Sequence, residues 1–246
     1  MSIFLLVSIF SSVQAADLES LMQQGNALYQ QEQYPEAIAS YQQILANGYE
    51  SGALHYNLGC AFFKIDELGL AMLHFHQAQR LLPRDDDVKH NLEYARVQRQ
   101  DRFDLPEPMP AVKTFINLRK SMKVSELQIL TIGFWLLFVV SVIVYRRNRH
   151  RAMANGIFIT SAALGIIFLI LGGWLMDRSL DARDVGVVIL SESANGHSAP
   201  INNSEILFVV HEGTEGQVVQ RSEEWIEVRL PDGKEAWLEA RDLGTF

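Results

Sequence analysis

A single cysteine, Cys60, in 246 residues excludes an intramolecular disulfide, a CxxC redox pair and a cysteine-rich zinc site. Read on its own, such a thiol belongs to a packed helix. Catalytic signatures are missing too. There is no GxSxG and no GxxxxGKS, and His211-Glu212-Gly213-Thr214-Glu215 lacks the second histidine of HExxH. The sequence is therefore read as non-enzymatic, with no catalytic residue and no cofactor. Metal chemistry lacks support as well. Asp85-Asp86-Asp87 is not followed by the glycine and glutamate of a calcium loop, and among His55, His74, His76 and His90 the close pair is two apart, which does not share a helical face.

Basic residues are scarce everywhere except the centre. From Ala16 to Leu105 there are 13 acidic and 7 basic residues, from Asp177 to Phe246 14 and 6, but from Pro106 to Met153 2 and 8. Acidic flanks repel a phosphate backbone, so nucleic acid is excluded as a partner.

Charge is absent altogether from two long stretches, Leu127 to Tyr145 and Ala154 to Met176, which contain no Asp, Glu, Lys, Arg or His. Each has the roughly 20 apolar residues that span a bilayer. The eight residues between them, 146–153, suffice only for a tight connection at one membrane face. Arginine concentrates in cytoplasmic loops, so Arg146, Arg147, Arg149 and Arg151 place this loop inside and both flanking modules outside. The spans carry no ionisable group, which argues against a transport pathway. At the N-terminus, the apolar run Ile3 to Phe10 precedes Val13-Gln14-Ala15, the order of an export signal cleaved after Ala15, although no Lys or Arg precedes the run. The expected location is the bacterial inner membrane, with two spans and periplasmic N- and C-terminal domains. A linker over 105–126 contains AVKTFINLRKSMK, a basic amphipathic helix suited to lipid headgroups.

Residues 16–104 repeat at a spacing of 34: Gly25 aligns with Gly59, Ala37 with Ala71, Tyr41 with Phe75 and Ile44 with Ala78. Apolar residues fall at helical spacing on both sides of Gln33-Tyr34-Pro35, where Pro35 opens a second helix. These positions resemble tetratricopeptide (TPR) repeats, which implies repeats at 18–51 and 52–85, an aromatic filling the gap between neighbouring units, and a capping helix at 86–100 started by the aspartates. Two repeats are few, so a partner or self-association is expected. The resemblance places Met22, Asn26, Tyr29, Tyr56, Asn57, Cys60, Phe63, Asn91 and Tyr94 along the binding groove. Met22 and Tyr56 stand where carboxylate-clamping repeats use lysine.

From Asp184 the pattern changes to period two, with VGVVIL, EILFVV, GQVVQRS, WIEVRL and KEAWLEA reading as short strands of a small all-β barrel. Leu230-Pro231-Asp232-Gly233 reads as a turn, with Pro setting its first central angle. The string HEGTEGQVVQRSEEWIEVRLPDGKEAWLEARDL resembles a bacterial SH3 domain, here assigned to 184–246, with Ala236 replacing the usual glycine before Trp237. Trp225 and Trp237 are its candidate docking aromatics.

The fold class is thus multidomain: helical TPR repeats, a two-helix transmembrane hairpin and an SH3-like barrel. That order, with ALHYNLGCAFFKIDELGLAMLHFHQAQRLLPRDDDVKHNLEYAR and LFVVHEGTEGQVV, resembles the BatE family of Bacteroides aerotolerance operons. The resemblance implies envelope partners, namely membrane proteins with von Willebrand factor A domains and, indirectly, a MoxR-type ATPase. The leading expectation is a membrane-anchored scaffold that assembles an envelope complex. A peptidoglycan- or peptide-binding envelope stress sensor is the alternative, and a redox role through Cys60 is third.

Overall fold

A computed structural model describes residues 17–103, 108–150, 153–181 and 185–246. The expected export signal lies outside the described residues. The chain divides into two compact units, one joining the N-terminal helices to the C-terminal strands, the other formed by the segment between them.

The first unit begins with helices α1 (residues 17–30), α2 (Tyr34–Ala46), α3 (Gly52–Lys64), α4 (Leu68–Leu81) and α5 (Asp86–Gln98). The spacing of 34 seen in the sequence recurs in the backbone. Glu32 and Asp66 both take positive φ, 61° and 62°, at the turns before α2 and α4. Ser51 and Asp85 both cap the helix that follows, accepting from the N–H of Leu54 at 3.2 Å and of Val88 at 3.0 Å. Gly25 and Gly59 each lie under an aromatic ring: a Cβ added there would sit 2.5 Å from Tyr41 and 2.6 Å from Phe75. Each ring covers the glycine of its own helix pair. That corrects the expected placement of these aromatics between neighbouring pairs, because only glycine lets the two helices of a pair approach this closely. Ala37, Leu54, Leu58, Ala71, Phe75 and Leu92 form the shared core.

Seven antiparallel strands follow: β1 (Gly186–Ile189), β2 (Ser193–His197), β3 (Ile206–His211), β4 (Glu215–Ser222), β5 (Trp225–Arg229), β6 (Glu235–Glu239) and β7 (Leu243–Thr245), in the order β3-β2-β6-β5-β4-β1-β7. Period two governs burial. Ile226, Val228 and Leu238 point into the barrel core with Val187, Ile189 and Leu243. The Leu230–Gly233 turn is closed by the Gly233 N–H donating to the Leu230 carbonyl at 2.9 Å, with Gly233 at φ 88°.

Helices and barrel share a seam. Val188 of β1 joins the helical core, while Phe103, just past α5, packs into the barrel core. Gly69 at the start of α4 meets the barrel backbone so closely that a Cβ would lie 2.5 Å from the Ile189 carbonyl oxygen.

In the second unit, α6 (Pro110–Ser121) is followed by α7 (Val124–Asn148) and α8 (Ala154–Asp181). The last two are long and apolar enough to cross a membrane, with mean hydropathy reaching 2.5 within Val124–Asn148 and 2.2 within Ala154–Asp177. They pack against each other through Ser141 and Ser161, whose hydroxyls are 2.6 Å apart, through Tyr145 on Phe158, and through Gly165 under Phe138. Val112, Phe115 and Leu118 form an exposed apolar stripe on α6, where Phe115 also meets Trp174 of α8.

Candidate functional site

The nine residues expected to line a groove come from α1, α3 and α5, the first helices of successive pairs, and all nine are half-buried or exposed. Their side chains form a ladder. Asn57 donates to Asn26 Oδ1 at 3.0 Å and lies 3.8 Å from the Met22 sulfur; Asn26 also accepts from the Tyr41 hydroxyl at 2.8 Å. One pair further on, Asn91 donates to the Tyr56 hydroxyl at 3.0 Å and approaches Cys60 Sγ at 3.6 Å, while Phe63 packs against Tyr94. Tyr29 stacks edge-on against Tyr34. The face is neutral and rich in amides and rings. Burial pushes the Tyr56 phenol up to about 12 and also raises the Cys60 thiol, which keeps that sulfur protonated and a poor nucleophile near neutrality.

Of the four histidines only His55 and His74 come together. His55 Nδ1 and His74 Nδ1 are 3.0 Å apart, and His74 stacks on Phe62. His76 turns to the barrel, and His90 is exposed. Among the described residues no group of three or more His, Cys, Asp or Glu is placed to hold a metal ion.

Burial, with His55 beside it, pulls the His74 imidazole down to about 4. The unfolded chain holds this proton near 6.5, so it binds more protons than the folded chain between those values. The stability of the helical array is therefore expected to fall as pH drops from about 6.5 towards 4, by about 3 kcal/mol from this residue. Urea midpoints of the full chain in detergent across that range check it, and the His74→Gln variant should flatten the slope.

On the barrel, register decides the orientation of the tryptophans. Trp225 pairs with Glu239 and Trp237 with Glu227, so both rings leave the sheet on the side opposite Ile226, Val228 and Leu238. His197 is directly opposite Trp237 and its ring lies 5.1 Å from that of Trp225. Trp225 and His197, each 8% exposed, are buried against one another, and Trp237 is the half-buried ring left on this side, bordered by Glu227 and Glu239. Residues 191–244 match the family model of the bacterial SH3 domain. That match points to binding of proteins or of peptidoglycan as the role of this domain. The chain matches no curated protein.

The SH3 domain is fixed to the helices by a polar cluster that sequence reasoning missed. Glu215, at the start of β4, accepts from His76 Nε2 at 2.5 Å, from Arg96 Nη2 at 2.7 Å and from Arg99 Nη1 at 2.8 Å. These donors hold its carboxyl down at about 2 against the opposing effect of burial. Burial likewise lowers the His76 pKa, so a neutral ring donates to the carboxylate. Alongside, Asp101 accepts from the backbone N–H of His211 at 2.8 Å and the Thr214 hydroxyl at 2.7 Å, and lies 2.9 Å from His211 Nδ1. The carboxylate of Glu212 accepts from the Gly69 N–H at 2.7 Å, and Phe246 stacks on His76. A signal was present in the sequence as Arg96 and Arg99 on one side of a helix end, but nothing in their spacing names Glu215, more than a hundred residues away.

Proposed function

We propose that this chain is a non-enzymatic scaffold of the bacterial envelope, anchored in the inner membrane by α7 and α8. The observation that carries the reading is the seam around Glu215. It holds the amide-and-ring face of the helices and the Trp237 side of the SH3 domain in one body, a platform able to engage two partners, or two parts of one partner, in fixed geometry. The repeating turns, caps and glycine contacts support reading the helix pairs as TPR units, whose usual work is protein binding.

The seam also bears on topology. Residues on both sides of the hairpin pack into one unit, so they lie on the same side of any membrane the hairpin enters, as two spans require. With the arginine loop in the cytoplasm, that side is the periplasm. The resemblance to BatE proteins supports membrane proteins with von Willebrand factor A domains as direct partners and a MoxR-type ATPase as an indirect one. Crosslinking in native membranes followed by purification of the chain is expected to enrich envelope proteins, and recovery of the chain alone would refute the scaffold. Reporter tags at Phe246 and near Asp104 are both expected to register the periplasm.

A second reading, binding of peptidoglycan or its peptides, is favoured by the half-buried Trp237, backed by the buried Trp225 and His197, together with the SH3 match. Here Trp237→Ala is expected to reduce cosedimentation of the full chain with purified peptidoglycan at least about tenfold, the loss usual for an aromatic anchor. Equal sedimentation of variant and parent would leave the scaffold reading in sole possession.

A further inference from the structure

A groove lies between the two helices near the arginine loop. It takes up about 380 Å³ between Ser141 on α7 and Met153, Gly156, Ile157 and Thr160 along the first turns of α8. Gly156 is exposed, and a Cβ added there would meet nothing within 4 Å, so a larger side chain fits without a clash. Its hydroxyls are already engaged: Ser141 with Ser161, and Thr160 with the Gly156 carbonyl at 3.0 Å. The groove therefore offers methyl and methylene surface, the lining a hydrocarbon chain requires. Its lining includes Met153, which follows the loop. Ser141 is about 8 Å along the helix axis from Arg146. Arg146, Arg147 and Arg149 follow Ser141 by five to eight residues and are exposed, and the sequence holds no acidic residue between Glu126 and Asp177 to balance them.

We propose that this groove and these arginines form a binding site for one anionic phospholipid, with an acyl chain along Gly156, Ile157 and Thr160 and its phosphate on Arg146, Arg147 and Arg149. The assignment rests on the membrane-hairpin reading and adds a ligand to it. Charge selects the occupant. A second hairpin seated in the groove would bring another set of guanidinium groups against the first, whereas a lipid phosphate neutralises them. Guanidinium also suits phosphate by geometry, presenting paired N–H donors to its oxygens.

The test is native mass spectrometry of the full chain in neutral detergent, titrated with phosphatidylglycerol or with phosphatidylcholine of the same acyl chains. One phosphatidylglycerol per chain is expected, retained roughly tenfold better than phosphatidylcholine. Neutralising the loop (R146Q, R147Q and R149Q together) should erase that preference. Gly156→Leu, a substitution the open space accommodates, should reduce retention of phosphatidylglycerol about tenfold with the arginines intact. Equal retention of the two lipids, unchanged retention by Gly156→Leu, or displacement by soluble glycerol phosphate as effective as by the lipid would overturn the site. So would dimers in place of lipid adducts. Carbonate extraction of native membranes separates the two levels: a chain released to the soluble fraction refutes the hairpin reading and the lipid site together, while a chain that stays in the membrane without lipid preference refutes the site alone.

Discussion

Replacing Glu215 by alanine is expected to destabilise the helix–barrel unit by about 3–5 kcal/mol, the usual cost of stripping one partner from a buried ionic cluster. The size follows from what is left behind. Arg96 and Arg99 are 29% and 15% exposed at their side chains and His76 only 8%, so water cannot replace the lost carboxylate at low cost. An exposed pair such as Arg229 with Glu235, half open to solvent, serves as the control and should contribute under about 1 kcal/mol. Urea unfolding of the full chain in detergent measures both. Hydrogen exchange should add that protection falls first where α4 and α5 meet the barrel; a uniform loss across the chain would refute a seam role. Acid should act on the same contact. The folded pKa of Glu215, about 2, lies below the unfolded value near 4.5, so its stabilisation is complete above 4.5 and disappears as pH falls towards 2. In Glu215→Gln that part of the pH dependence should vanish.

Placing valine at Gly59 is expected to be nearly as damaging, by about 3 kcal/mol, at the upper end of overpacking costs. The first added carbon already falls 2.6 Å from the Phe75 ring and 3.1 Å from the Ala71 carbonyl oxygen, and valine adds two more. Better helix propensity than glycine returns at most about 1 kcal/mol, so strain wins. Because the clash is with a ring, adding Phe75→Leu should recover part of the loss, and a thermal melt followed by helical circular dichroism measures the coupling in a double-mutant cycle. Strictly additive losses would mean that the glycine does not serve the ring. Gly133, which has no neighbour within 4 Å, should accept alanine without such a penalty.

Local features were the legible ones. Pro35, the aspartates before α5 and the alternation in WIEVRL specify their elements through the chain's own backbone, and α2, α5 and β5 form where those signals stand. The repeat was legible because a spacing of 34 carries a helix pair back to the same phase, so that Asn57 and Asn91 occupy equivalent positions and both reach back to the preceding pair. Trp225 and Trp237 were legible as a pair, but their shared outward side depended on cross-strand register. His55 and His74 were visible only as separate histidines, since α3 and α4 must dock before their Nδ1 atoms meet.

By itself the sequence determined the helix pairs with their turns and caps, two apolar helices with arginines between them, and a strand-rich C-terminal module, because propensity, periodicity and hydropathy act over neighbouring residues. Only the tertiary structure decided that the first and last of these form one body. That outcome depends on Glu215 reaching His76, Arg96 and Arg99, and on Gly69 admitting the barrel backbone, contacts between residues far apart in the chain that no local pattern encodes.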